Sequence, residues 1–382
     1  MVTPHLAAGL PPGPEPNRVA AHGRPGPGRL FPHHKNDKQG RSMTWSVHPI
    51  QAFAEHSKAW DTLAQGRVGA PFLQSAFLQP ALTAFGRGDE LLCLYQSQGQ
   101  LRMAMIVGKQ AKGMWQTFQP SQLPLGAFIS DGTVDIAAAS ASLWAKLPGL
   151  TLGLGLTQLD PNFDGRPADS GLLQSKDYIQ TAWVDIAGPF DAYWEARGKN
   201  LKQNTRKQRN KLQSEGIEPR LECLQAMAEM GPAIEQYGRL ESAGWKTADG
   251  TAIHPDNEQG RFYRQMLENF AAQGRARVYQ YWFGDKVVAM DLCIEDESVI
   301  VILKTTYDES YKAVSPSTLM RQTEFQQLFE EQKLSRIEFY GKVMEWHTRW
   351  TDTQRGLYHA NLFRFGLIPK LLALKAQLNK KS

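Results

Sequence analysis

Four stretches of this 382-residue chain bring together side chains whose types and spacing chemistry can use. The first is Glu241-Ser-Ala-Gly-Trp-Lys246, where a helix gives way to a polar loop through Asp249, Gly250 and Thr251. A partly desolvated Glu241 beside Trp245 suits a general base, with Trp245 and Lys246 as acceptor contacts. The competing reading is a helix-terminal acid with Trp245 plugging a core. The second stretch is Lys304-Thr-Thr-Tyr307-Asp308. A lysine inside an otherwise apolar run costs free energy to bury unless an anion meets it. Alternation sets Lys304 and Thr306 on one face and Thr305 and Tyr307 on the other. Tyr307 then suits a proton donor, and Asp308 either holds Lys304 or caps the next turn. The third is Ser315-Pro316-Ser317-Thr318, an N-cap with proline at the first helical position. Free backbone N–H groups and the helix dipole make that corner a phosphate site. The fourth is Glu345-Trp-His347-Thr-Arg349-Trp350-Thr-Asp352, a density of aromatic and ionisable groups expected to rim a cleft. His347 there is either structural or part of the site.

A fifth stretch is charged rather than reactive. From Arg197 to Lys211 the sequence has seven basic residues and no acid. On a helix, Leu201, Thr205, Gln208 and Leu212 form the buried face, and Lys202, Arg206 and Arg209 share one flank. The flank serves either an anionic ligand or solvent. Metal-ligand spacings such as HExxH or CxxC, a GxSxG elbow, a Walker loop and a strand-following GxGxxG are all absent from the sequence, so no metal is expected.

The elements that must position these groups follow from periodicity. Arg277–Phe329 reads as three alternating runs separated by Gly284-Asp285 and Asp296-Glu297-Ser298, an antiparallel meander feeding a helix at Pro316–Gln332. A helix over Asp256–Ala272 precedes it and a strand at Arg336–Tyr340 follows. The first half repeats the order: a helix at Ser75–Phe85; strands at Glu90–Tyr95, Leu101–Gly108 and Met114–Phe118; a helix at Val134–Lys146; a strand at Leu150–Thr157. The strand Tyr178–Ile186 lies between the halves. This order predicts an α+β molecule of two similar lobes, 43–180 and 181–370, each a mostly antiparallel sheet flanked by helices, with a ligand cleft between them.

Residues 1–42 hold eight prolines and six glycines, a composition expected to be disordered. Met43, which opens an amphipathic segment with apolar positions at Ile50, Phe53, Trp60 and Leu63, is the expected true start. A basic tail occupies 371–382. The formal net charge is +5. Most of it lies in residues 1–42, which excludes a general nucleic-acid-binding character. Cys93, Cys223 and Cys293 are widely spaced within apolar runs and read as buried thiols of a reducing compartment. With no apolar run long enough to cross a membrane and no secretory signal, the expected location is cytoplasmic.

The set Phe190-Asp-Ala-Tyr-Trp, Leu201-Lys-Gln-Asn-Thr-Arg-Lys-Gln-Arg209, Glu241–Lys246, Tyr307-Asp308, Tyr311 and Ser315-Pro316 resembles the CelD-type acetyltransferase family of the GNAT superfamily. Its double-lobed relatives include the FemAB-like transferases, and the likeness covers about residues 44–365. The resemblance implies tandem GNAT-like lobes and an acyl-CoA co-substrate, with the thioester at Leu303–Tyr307 and the pyrophosphate at Ser315–Thr318. It implies an acyltransferase acting on an amine or hydroxyl of a small-molecule or saccharide acceptor, in cell-envelope or exopolysaccharide metabolism. Glu241 would be the base, Tyr307 the acid or positioner, and Lys304 and Asp308 the site electrostatics. Thr305, Thr306, Ser315, Ser317 and Thr318 would contact the donor; Lys202, Arg206 and Arg209 would hold an anionic acceptor. Two positions depart from the family: Ser317 stands where a glycine is usual, and Trp346–Trp350 lacks the usual lysine, for which His347 or Arg349 could substitute. The alternatives are a FemAB-like transferase using aminoacyl-tRNA and a non-catalytic binding protein on a decayed GNAT fold.

Overall fold

A computed structural model describes residues 43–242 and 253–371. The first half runs β1 (Met43–Pro49), α1 (Phe53–Ala64), α2 (Ser75–Phe85), β2 (Leu91–Ser97), β3 (Gln100–Ala111), β4 (Met114–Thr117), β5 (Phe128–Ser130), α3 (Ile136–Leu143), β6 (Gly153–Leu159) and β7 (Leu173–Asp185). The connecting helices are α4 (Phe190–Glu195) and α5 (Lys199–Ser214). The second half runs β8 (Pro219–Leu224), α6 (Met227–Ser242), α7 (Glu258–Ala271), β9 (Ala276–Phe283), β10 (Lys286–Glu295), β11 (Val299–Tyr307), α8 (Pro316–Glu331), β12 (Arg336–Glu338) and β13 (Gln354–Phe363). Strand, two helices, three antiparallel strands, helix and parallel strand therefore occur twice. The two similar α+β lobes anticipated from element order are present.

Local sequence explains the second lobe's framework. Gly284, at a positive φ of 58°, closes the two-residue turn between Phe283 and Lys286, which sit opposite one another. In α7, Phe262, Tyr263, Met266, Leu267 and Phe270 recur at helical spacing and are all buried. Asn257 caps α7 by accepting from the Gly260 N–H at 2.8 Å. The lobes meet through these helices: Phe77 of α2 packs edge-on to Phe262 of α7 with ring centroids 5.2 Å apart. One hydrophobic core runs through the contact.

The segment expected to open as an amphipathic stretch begins instead with the strand β1, paired along its whole length with β2. The alternation in Met43–Pro49 is that of a strand, and helical period starts only at Phe53. A larger feature concerns how the lobes are tied together. In the 13-stranded sheet the central order is β6-β13-β7-β12. The last strand of the second lobe, β13, pairs antiparallel with β6 of the first, while the end of β7 pairs with β12 of the second. β7 and β13 also pair with each other, so each lobe lends the other a strand.

The strand pair that matters most is β11 and β12. They run parallel only over Val299–Val301 and Arg336–Glu338 and then part. Beyond Val301, β11 keeps its partner β10 on one side only, whereas the Phe339 and Val343 N–H groups donate to Ala182 and Gln180 beside β7. The result is a V-shaped opening. The first lobe's counterpart, between β4 and β6, is packed shut. There the Thr117 and Thr157 hydroxyls meet at 2.6 Å, and a Cβ on Gly126 would fall 2.4 Å from the Thr157 carbonyl oxygen.

Candidate functional site

Two cavities converge on the opening in the second lobe. The first cavity, about 570 Å³, lies between β11, the start of α8 and the loop 339–350; its walls include Thr305, Tyr307, Ser317, Arg321 and His347. The cleft between the lobes, about 560 Å³, is walled by Gln119–Pro124, Gln158 and Tyr178 from the first lobe and Glu241, Tyr263 and Lys342 from the second. Leu303, Lys304, Phe339 and Gly341 border both. Leu303 is also the extra residue of a bulge, since Leu292 opposes Lys304 while Cys293 opposes Ile302.

At that border Lys304 finds the anion its apolar strand demanded. Its Nζ lies 3.3 Å from Glu241 Oε1, and the rings of Tyr263 and Tyr237 stand 5.4 and 5.9 Å from the ammonium. Glu241 is 3% exposed and accepts from the Ile253 N–H at 2.7 Å, so its carboxylate is held by backbone as well as by lysine. Lys304 faces α6 and α7. Thr305 faces the other way, toward α8, where its hydroxyl accepts from Arg321 at 2.9 Å.

The floor of the first cavity carries a charged cluster that sequence reasoning missed. Arg321 of α8 donates to Asp291 of β10 at 2.8 Å and lies 4.7 Å from the Trp346 ring. Burial and the neighbouring Asp291 push the Glu324 carboxyl well above its usual range. The signal was present: Asp291 is the lone charged residue between Val287 and Ile294, the same oddity that flagged Lys304. His347 lines the cavity as a neutral ring. Burial and the Arg321 charge push it down to about 4, and its Nδ1 accepts from the Met344 N–H at 2.9 Å. It therefore does not stand in for a cationic lysine.

At the cavity's outer end, Ser315 occupies the left-handed region with φ 48° and precedes Pro316 at the first position of α8. Its hydroxyl accepts from Gln208 of α5 at 3.0 Å. The Ser317 hydroxyl is buried without a partner, and Thr318, Lys312 and Arg349 line the same cavity, Arg349 also pairing with Glu345 at 2.9 Å. Tyr307, 38% exposed, lines the same end.

Several expected site residues lie elsewhere. Asp308 does not hold Lys304: it caps the following turn through Ser310 and pairs with Lys286 at 2.7 Å. Burial works against its charge, but those bonds keep its carboxyl below the usual value. Thr306 is buried and does not line the first cavity. The α5 flank is not a single ligand surface either. Lys202 pairs with Glu195 at 2.7 Å, and Arg209 donates to Gln322 and Thr323 at 3.0 Å, fastening α5 to α8; Arg206 is exposed and borders neither cavity. The physical reason is that α5 packs on α8, so part of its charge serves that contact. Trp245 and Lys246 lie outside the described residues. Among the described residues no cluster of metal-ligating side chains occurs and no helix is long and apolar enough to cross a membrane.

Residues 199–348 match the family model of an acetyltransferase (GNAT) domain. The match lies within the second lobe. Three solved structures have the same fold as most of the chain. The C-terminal domain of a putative lysylphosphatidylglycerol synthetase from Agrobacterium fabrum is 14% identical, with 85% of this chain and 96% of that chain aligned and a TM-score of 0.53. FemX is 10% identical over 86% of this chain and 99% of its own, with a TM-score of 0.53. A conserved protein of unknown function from Bacteroides thetaiotaomicron is 10% identical over 84% and 100%, with a TM-score of 0.54. These alignments span both lobes, and at such identities the likeness is one of fold. No curated protein matches the sequence.

Proposed function

We propose that the protein is an acyltransferase that moves an acyl group from an acyl-CoA-type thioester to an amine, or less readily a hydroxyl, of an acceptor held between the lobes. The observation that carries this reading is the common border of the two cavities at Leu303, Lys304, Phe339 and Gly341. A donor in one cavity and an acceptor in the other would meet there. The donor end fits a pyrophosphate: a helix N-terminus, an unpartnered buried Ser317 hydroxyl, and the cations Lys312 and Arg349. The thioester would lie beside Leu303, where β11 has backbone groups without a strand partner to receive the carbonyl oxygen. The acceptor nitrogen attacks the carbonyl carbon, the N–C bond forms and the C–S bond breaks. Glu241 takes the nitrogen's proton, and the departing thiolate is protonated from solvent. Lys304 orients Glu241 and offsets charge at the border. Tyr307 is three residues further along the strand, about 10 Å from Lys304, which suits a positioner of the donor's outer half rather than an acid.

With Lys202 and Arg209 committed to packing, an anionic acceptor would depend on Lys304 and Lys342 in the cleft. A saccharide of cell-envelope or exopolysaccharide metabolism and a cytoplasmic location are retained as proposals on the CelD-type motif set. A second reading, transfer from aminoacyl-tRNA, is favoured by the exposed Arg206 and Lys207 on the helix that touches Ser315. Calorimetric titration with acetyl-CoA, longer acyl-CoAs and charged tRNA separates the readings. Acyl-CoA binding supports the first, and saturable binding of charged tRNA alone supports the second. Binding of none favours a non-catalytic protein.

A further inference from the structure

At one end of the first lobe, far along the strands from the cleft-lining Gln158, three neighbouring strands finish together. Gly153 at the start of β6 opposes Phe363 at the end of β13, and Leu173 at the start of β7 opposes Leu362. The chain leaving or entering each strand there presents a large apolar side chain to solvent: Leu150 is 65% exposed, Leu172 50% and Phe365 51%. The connections are tied together by backbone, since the Phe363 N–H donates to Leu172 at 2.8 Å and the Arg364 N–H to Leu152 at 2.9 Å. The chain then turns helical and adds Leu367 and Leu371, 63% and 55% exposed. Solvated aliphatic residues are ordinary singly, but five converging on one end of a sheet are not.

The surroundings of this patch are cationic. Lys112 is exposed in the β3–β4 turn, whose Gly113 touches Leu150 and Leu152; Arg364 and Lys370 flank the leucines. From Asp352 to Leu371 the described chain contains no further acid. Asp169, the acid beside Leu172 in sequence, accepts from the Ser175 N–H at 2.7 Å. We propose that this end of the first lobe is a docking surface for an anionic lipid bilayer, leucines and Phe365 entering the interface and lysines meeting lipid head groups. Apolar insertion ringed by lysines matches a surface that is apolar beneath and negative above, and each cation near such a surface adds attraction that salt screens. A water-facing protein partner would need acids opposite the lysines and gains nothing from a patch at a strand-end rim. The proposal does not depend on acyl transfer.

The test is co-sedimentation of the full chain with vesicles of phosphatidylglycerol and phosphatidylcholine, against phosphatidylcholine alone, compared with the double variant Leu367→Asp/Leu371→Asp. Both leucines are exposed, so the variant's thermal unfolding should match the parent's. The expected result is binding to the anionic vesicles that weakens as salt rises, and a loss of about tenfold or more in the variant. Absent binding, or binding equal in parent and variant, overturns the proposal. So does a dimer in analytical ultracentrifugation that the variant abolishes, which gives the patch to a second copy. Vesicle binding gained only after removal of residues 372–382 also overturns it, because the tail would then be the patch's occupant.

Discussion

Lys304 shows how a single residue can announce a site. In Val299–Tyr307 every position before Lys304 is apolar, and the cost of burying an ammonium there required a carboxylate partner, which Glu241 supplies at 3.3 Å. That partner comes from a helix 63 positions away, so the pairing itself was not legible in sequence. Replacing Glu241 with Gln should lower turnover by about 10²–10⁴ while leaving donor affinity unchanged, checked by steady-state kinetics beside calorimetry; unchanged turnover removes Glu241 from the mechanism. Ser317 stands where the CelD-type resemblance implies a glycine, yet its hydroxyl is unpartnered at the helix N-terminus. Ser317→Ala should weaken acyl-CoA binding by about tenfold or more, the loss of a hydrogen bond to a charged group. Affinity that is unchanged or improved would mean the serine only narrows the site. His347, held down to about 4, gains no proton between pH 5 and 8. The pH–rate profile should therefore show no limb that His347→Asn removes.

At the scale of elements, periodicity worked where one face is buried and failed where pairing is remote. α2 runs Ser75–Phe85, as its pattern predicts, and α7 and α8 differ from expectation by only a residue or two at their ends. β13 was not anticipated from the sequence, and nothing local shows that it would cross to the other lobe. The charge run of α5 was legible and its use was not, because Arg209's partners Gln322 and Thr323 lie on a helix more than a hundred residues later. The Asp291–Arg321 pair under the donor cavity is a comparable long-range closure, with both groups nearly fully buried. Arg321→Met leaves Asp291 uncompensated and should cost about 3–5 kcal/mol in denaturant unfolding, part of which Asp291→Asn in the same chain restores. Additive losses would show that the two do not act as a pair.

The whole molecule is organised by the exchange of β7 and β13, and the charges there make it pH-sensitive. Arg355 on β13 donates to Glu338 of β12 at 3.0 Å and pairs with Asp160, at the end of β6, at 2.7 Å, with Tyr340 and Arg336 close by. Burial pushes the Glu338 carboxyl up to about 7, against the pull of Arg355. Because the folded value lies above the ordinary 4.5, the folded state holds a proton that the unfolded chain has lost between those pH values. That contribution is complete below pH 4.5 and disappears as pH rises through 7, a change of about 3 kcal/mol at most. Glu338→Gln should flatten this part of the stability–pH curve; an unaltered slope assigns it to other groups. Since each lobe's sheet includes the other's strand, calorimetry should show one unfolding transition, whereas two well-separated transitions would mean the lobes are energetically independent.

Acyl transfer at the border of the two cavities depends above all on where the donor lies. A crystal structure grown with a non-hydrolysable thioether analogue of acyl-CoA tests that directly. The expected result is the pyrophosphate at Ser317 and the start of α8, the pantetheine arm in the opening between β11 and β12, and the acyl carbon beside Leu303 facing Glu241 and Lys304. A ligand seated in the cleft between the lobes with the opening empty, or no bound ligand at saturating concentration, would contradict it.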